Sequence, residues 1–376
     1  MGQVTARRSG GFVTRLIVAT VMLVICAVPA AACPICLSGM KITMGQKLDS
    51  AYQAVLAVPL AEPGTFRIVE VIKGKVVGDT INLPSPPPRS SKPYLILRYP
   101  LSEQWESQGA IGTEYADWLR QIAVDVHGSP VEKANPLQLG PVRKNLTDAE
   151  WVERVATVAV NLESEDPLAA EIAYGEISRA PYSALRTLKG KLDARIISAW
   201  IADPQLVARR AGYTLLLGIA GSADDAAALE AIIQKAWSAR NADNLSAMLA
   251  ADIELRGPER VAWIERMYFD DRQRTLPEIE AALLALSVHG GANGVVPRAR
   301  IVEAYLSFIK VRKPMAGFVA MELADWRAWE ATADYVGIIK SKAVKDPAGQ
   351  FAILSYLHRS PVTAALAGRS FADQPE

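Results

Sequence analysis

From residue 166 onward the chain restarts a helix every 33 to 40 residues, at Asp166-Pro167, Asp203-Pro204, Asp243, Leu276-Pro277, Lys313-Pro314 and Asp346-Pro347. The chemistry of these junctions is local. Aspartate accepts the free N–H groups of a first helical turn, and proline at the first helical position loses no hydrogen bond. A second break divides each unit, at Ala180-Pro181, Gly221-Ser222, Gly257-Pro258, Gly290-Gly291, Asp325 and Ser360-Pro361. Residues 206–217 and 279–286 read as first helices, and residues 226–233 and 260–267 as second helices. A hairpin of this length cannot cover its own apolar flank, so successive hairpins must stack. The expected architecture over residues 148–376 is therefore an α-solenoid. Thr147 and Glu150 write a capping box at its start. Alanine and glycine in the first helices allow close approach, and Leu, Ile and Trp fill the seams.

Residues 54–98 carry strand signals instead. Ala54-Val55-Leu56-Ala57-Val58, the β-branched run 65–72, the alternating run 79–83 and Tyr94-Leu95-Ile96-Leu97-Arg98 are punctuated by Gly64, Gly74 and Gly78. Pro84 and Pro86 to Pro88 belong to an extended loop, because proline cannot donate to a ladder. These runs predict a small antiparallel β-barrel or sheet. Tyr115, Trp118, Leu119 and Ile122 share one face of a helix over 113–123. Pro130, Pro136 and Gly140 mark a linker. The expected layout is a leader (1–32), a small β-domain with a trailing helix (33–127), a linker (128–147) and the helical repeats (148–376). The class is α+β, mostly α.

The leader has three parts: basic Arg7, Arg8 and Arg15, an apolar stretch over 16–28, and small residues over 29–32. An apolar run of about 13 residues is too short for a stable membrane span. Export to the periplasm or the cell exterior is expected, with Cys33 as the first mature residue. If a lipoprotein peptidase makes the cut, Cys33 carries a lipid, and that is the one route to a membrane. Without its three arginines the chain has 38 basic and 40 acidic side chains. So balanced a charge provides no footprint for nucleic acid. No later run is long and apolar enough to read as a transmembrane span.

Two resemblances follow. Residues 33–98, with Phe66-Arg67-Ile68-Val69-Glu70-Val71-Ile72-Lys73-Gly74 and Gly78-Asp79-Thr80-Ile81-Asn82-Leu83, resemble exported OB-type, netrin-like and metalloprotease-inhibitor-like barrels. The inhibitors need several disulfides from a Cys-x-Cys start, whereas this chain has Cys-x-x-Cys and no other mature cysteine. The repeats resemble the HEAT and armadillo-like class. As a whole the chain is similar to exported bacterial proteins of unassigned function that begin Cys-Pro-x-Cys. The matching elements are Cys33-Pro34-Ile35-Cys36, Glu70-Val71-Ile72-Lys73-Gly74, Arg179-Ala180-Pro181-Tyr182 and Ser287-Val288-His289-Gly290. The resemblance implies a shared fold and brings no activity.

Few residues carry chemistry. Cys33 and Cys36 have the spacing of a redox pair or of a short disulfide staple. Together with Met40 and Met44 they form an i, i+3, i+7, i+11 stripe of soft donors suited to Cu(I), and the same stripe reads as core packing. His127, His289 and His358 lack any zinc-site spacing. His289 reads as an imidazolium capping a helix end. Asp224-Asp225, at a helix N-terminus, and Asp270-Asp271 read as structural carboxylates rather than acid–base pairs. Trp326 and Trp329 could line a groove, with seam packing the alternative. The sequence contains no catalytic motif. The leading expectation is a non-enzymatic binding or scaffold protein whose helical surface meets a protein partner. Thiol or Cu(I) handling by Cys33 and Cys36, and inhibition through the mature N-terminus, are the alternatives.

Overall fold

A computed structural model describes residues 42–100, 102, 104–123, 146–291 and 294–363. The described residues belong to one compact unit. The chain is mostly helical, with a five-stranded antiparallel sheet in its N-terminal part.

Helix α1 (Met44–Ser50) opens the described chain. Its start is a capping box: Thr43 Oγ1 accepts from Gln46 N at 3.2 Å and Gln46 Oε1 accepts from Thr43 N at 3.0 Å. Strands β1 (Gln53–Pro59), β2 (Thr65–Lys73), β3 (Thr80–Asn82), β4 (Tyr94–Arg98) and β5 (Trp105–Ala110) follow. They pair in the order β3-β2-β1-β4-β5. Four strands lie where the sequence puts them. β5 is an addition, a polar segment recruited by pairing with β4 from Tyr94–Ala110 to Arg98–Trp105. Helix α2 (Ala116–Ile122) lies inside the expected 113–123 segment.

The central strands β1 and β4 are buried on both faces. Ala54, Leu56, Leu95 and Leu97 join Leu48, Trp118 and Leu119 in an apolar core that continues through the helices to Tyr356. Val55, Ala57, Tyr94 and Ile96 face the other way, against Phe66, Ile81, Leu83 and Trp105. Two buried faces explain why β1 and β4 read as unbroken apolar runs rather than alternating ones. Register shifts in β1 and β4 add local bend and twist. The proline loop closes over the second face, where the Tyr94 hydroxyl donates to the Pro88 carbonyl.

The helices are α3 (Asp148–Ala159), α4 (Pro167–Arg179), α5 (Tyr182–Leu185), α6 (Ala194–Ala202), α7 (Arg210–Ala220), α8 (Ala223–Ala239), α9 (Leu245–Arg256), α10 (Glu259–Ile264), α11 (Leu276–His289), α12 (Arg298–Val311), α13 (Ala320–Asp325), α14 (Thr332–Ser341) and α15 (Pro347–Arg359). They stack in sequence order. α7, α9 and α11 pack side by side, α8 lies on α9, and α13 and α14 pack on α15. Asp166 and Asp346 cap α4 and α15 through their carboxylates, as the Asp-Pro pairs require. Other openings differ in detail. Asp203 and Lys313 open short 3-10 turns, Pro204–Arg209 and Lys313–Val319, before α7 and α13 begin. Asn244, not Asp243, precedes α9, in the left-handed conformation that asparagine tolerates. Its amide donates to Thr214 Oγ1 at 2.9 Å.

Close approach of the stacked helices rests on small residues. A Cβ on Gly218 of α7 would lie 2.7 Å from Ala251 Cα and 2.9 Å from its Cβ, on α9. A Cβ on Gly337 of α14 would meet nothing within 4 Å. Gly218→Val is therefore expected to destabilise the protein by roughly 1–3 kcal/mol through overpacking. Gly337→Ala is expected to stabilise it by about 1 kcal/mol through helix propensity. Urea unfolding of the two variants checks both signs.

Candidate functional site

Of the residues singled out in the sequence, Cys33, Cys36, Met40 and His127 lie outside the described residues. Met44 is the first residue of α1, half-buried and packed against the main core. Trp326 and Trp329 lie in helix seams. Trp326 stacks on Tyr305 at a 5.6 Å centroid distance and covers Gly290, where a Cβ would come within 2.2 Å of the indole. Trp329 meets Tyr356 edge-on at 5.2 Å. Asp225 accepts from the backbone N–H of Ser222 at 2.8 Å, and Asp271 from that of Gln273 at 2.9 Å. Both are local caps. Among the described residues, no group of three or more His, Cys, Asp or Glu is placed to hold a metal ion. Nor is any helix there long and apolar enough to cross a membrane.

Ionisable side chains instead gather in the interior, in constellations that local spacing does not show. The first joins α1 to α3 and α4. Arg154 donates to Asp49 Oδ1 at 2.9 Å and also contacts Glu176, which is fully buried. Arg179 reaches Asp49 Oδ2 and Glu176 Oε2, each at 2.7 Å, and stacks over Trp151. Gly45 lies where the Glu176 carboxylate leaves no space for a Cβ. Lys73 from the sheet donates to the Asp49 carbonyl at 2.7 Å, at the C-terminal end of α1.

The second constellation unites two of the sequence elements. Tyr182 and His289 meet in an edge-to-face contact, with ring centroids 5.3 Å apart. His289 Nε2–H donates to the Ala250 carbonyl at 2.8 Å, and Nδ1 faces Glu254 Oε2 at 3.8 Å. Arg186 donates to Glu254 Oε1 at 2.9 Å. The histidine is completely buried. Burial pushes its pKa down to about 4, opposed by the Ala250 bond and reinforced by the Arg186 charge. It is thus a neutral imidazole, not the charged helix cap expected from its place before Gly290-Gly291. Burial also raises the Glu254 carboxyl above its ordinary range, against the opposing effects of Arg186 and Tyr182. A raised carboxyl beside a neutral imidazole is a pairing found at acid–base sites. Here Tyr182, Glu254 and His289 are all buried. The cluster ties α5, α9 and α11 together.

Arginines do the same along the stack. Arg274 and Arg312, three and two residues ahead of Pro277 and Pro314, reach back to preceding helices. Arg274 Nη1 donates to the Trp237 carbonyl at 2.9 Å, and Arg312 Nε to the Phe269 carbonyl at 2.8 Å. They satisfy acceptors at the ends of preceding helices. A basic residue two or three positions before each such proline is the signal that reading the starts alone missed.

No family model matches this chain, and no curated protein or solved structure is significantly similar to it.

Proposed function

We propose that the chain is an exported, non-enzymatic scaffold that offers its stacked helices to a protein partner. One observation supports this reading above the others: the five least exposed carboxylates among the described residues, Asp166, Glu176, Asp252, Glu254 and Glu278, each pair with a cation of the protein itself. Asp166 pairs with Lys92 at 2.8 Å, Glu176 with Arg179 at 2.7 Å, Asp252 with Arg260 at 2.5 Å, and Glu254 and Glu278 with Arg186 and Arg274, each at 2.9 Å. Interior charge spent on bracing leaves recognition to the surface, and helical stacks recognise partners through extended surfaces. The packing of Met44 against the core favours its structural role over a Cu(I) ligand role. Thiol exchange or Cu(I) binding by Cys33 and Cys36, and inhibition through the mature N-terminus, are the rival functions.

The test uses photo-crosslinking residues at two exposed positions, Ile232 on α8 and Leu276 on α11, in cells that make the protein. A recurrent adduct with one polypeptide at either position is the expected result. Failure to form a protein adduct at both positions, with Cu(I) retained by the purified chain against a chelator, would reverse the order of the readings. Mass spectrometry of the same sample reports the first residue, any lipid on Cys33 and the Cys33–Cys36 linkage.

A further inference from the structure

One edge of the helical stack is basic, although the chain as a whole is balanced. It is the edge where each unit passes to the next. Arg240 follows α8, Arg272 precedes α11, Lys310 and Lys313 lie at the end of α12, and Lys340, Lys342 and Lys345 lie between α14 and α15. All of these side chains are exposed. Among the described residues none of them is held in an ion pair. The turns form a continuous row. Arg240 donates to the neutral Gln273 Oε1 at 2.9 Å, and Arg312 to the Phe269 carbonyl at 2.8 Å. Gly317 lies so near Gly349 that a Cβ would come within 2.5 Å of the Gly349 Cα. Asp243, Asp270 and Asp346 share this edge, and Asp346 is engaged with the Gly349 N–H at 2.7 Å. The cations remain in excess.

Helix capping does not account for the row. A cation at a helix C-terminus is stabilising, which covers Arg240, Lys310, Lys340 and Lys342. Lys313 and Lys345 stand at helix starts instead, where positive charge opposes the macrodipole. Arg240 and Lys342 also hold φ angles of 52° and 53°, a conformation that glycine adopts at less cost. Nor can the rest of the chain neutralise the row. Residues 1–41, 124–145 and 364–376, outside the described part, carry eight basic side chains against four acidic ones, Asp125, Glu132, Asp373 and Glu376.

We propose that this edge binds an acidic, extended segment of a partner polypeptide. This assignment rests on the scaffold reading and gives its partner a chemistry. Neighbouring turns of a helix stack lie about 10 Å apart, and an extended chain advances about 3.3 Å per residue. A carboxylate at roughly every third residue therefore meets each turn, and neutral residues pass Asp243, Asp270 and Asp346. A nucleic-acid strand carries a phosphate about every 3.4 Å and would set charge against those carboxylates. A sheet of anionic headgroups would do the same.

The test is fluorescence anisotropy of a labelled peptide of about twelve residues, Glu-Ser-Gly repeated, titrated with the purified chain. Binding in roughly the micromolar range is expected, weakening about tenfold from low to physiological ionic strength. The same peptide with Gln for Glu should not bind. Arg240→Gln, Arg272→Gln, Lys313→Gln and Lys342→Gln together are expected to weaken binding roughly tenfold or more. Arg67→Gln, Lys75→Gln, Arg89→Gln and Lys191→Gln together remove as much charge from exposed positions elsewhere, and should change affinity less than about twofold. Equal binding of the Glu and Gln peptides, equal losses in the two variants, or tighter binding to phosphatidylglycerol vesicles than to the peptide would overturn the proposal. The peptide comparison uses the parent chain alone, so it decides even where a variant unfolds. Crosslinks at Ile232 or Leu276 without peptide binding would remove the acidic segment and leave the scaffold reading standing.

Discussion

Arg154→Met is expected to lower the unfolding free energy by about 3–5 kcal/mol, the usual consequence of removing one partner from a buried ion pair. The arginine side chain is 3% exposed and Glu176 is fully buried. Their neighbourhood holds two carboxylates, Asp49 and Glu176, against two guanidiniums, Arg154 and Arg179. Without Arg154 the balance fails beside Glu176, which water does not reach. α1 suffers most, since a helix of seven residues is too short to hold together alone. Its hold on α3 and α4 includes the Asp49 and Glu176 contacts. Adding Glu176→Leu to Arg154→Met should restore part of the loss, because the uncompensated charge leaves with the glutamate. By contrast, Arg195→Met, which breaks the exposed pair with Asp193, should leave the transition unmoved. Denaturant unfolding of the four proteins decides the matter. A loss under roughly 1 kcal/mol for Arg154→Met would reduce the cluster to the level of a surface pair.

The same cluster marks the limit of what local sequence shows. Asp166-Pro167 and Asp346-Pro347 declare their helices because a cap needs only residues two or three positions away. Trp118 and Leu119 declare a buried helix face by their spacing. The mostly helical α+β class follows from such local signals. Asp49 finds Arg154 across 105 positions and Arg179 across 130, and no local pattern encodes those distances. Strand β5 was illegible for a related reason. Trp105-Glu106-Ser107-Gln108-Gly109-Ala110 has little strand character of its own and owes its conformation to β4. α1 did leave a signal, the Thr43 and Gln46 pair of its capping box, overshadowed by the cysteines just ahead of it. His289 was legible as a helix end and misread as a charge, because position along a helix says nothing of what the next helices place over the ring.

His289 makes the second large effect one of pH. In the folded protein it takes up a proton only near pH 4, whereas in the unfolded chain it does so near its ordinary 6.5. Between those values the unfolded chain holds the extra proton, so acidification favours unfolding. The stability present above pH 6.5 is lost as the pH falls toward 4, by about 3 kcal/mol for this group. Glu254 acts in the opposite sense. Its carboxyl is raised by burial, so the folded state takes up its proton first and gains stability as the pH falls toward the ordinary 4.5. Arg186, Tyr182 and Lys189 also act on that carboxyl and limit the gain. Subtracting a variant from the parent separates the two residues. His289→Gln keeps an amide N–H for the Ala250 carbonyl and removes the titration. Its stability relative to the parent should rise steadily from pH 6.5 to 4 by roughly 3 kcal/mol. Glu254→Gln should show a relative fall as the pH drops toward 4.5, because it discards the carboxyl's gain. Unfolding free energies at half-unit pH steps give both curves. If His289→Gln ran parallel to the parent across the window, the imidazole would have to titrate alike in both states, which full burial beside Arg186 does not allow.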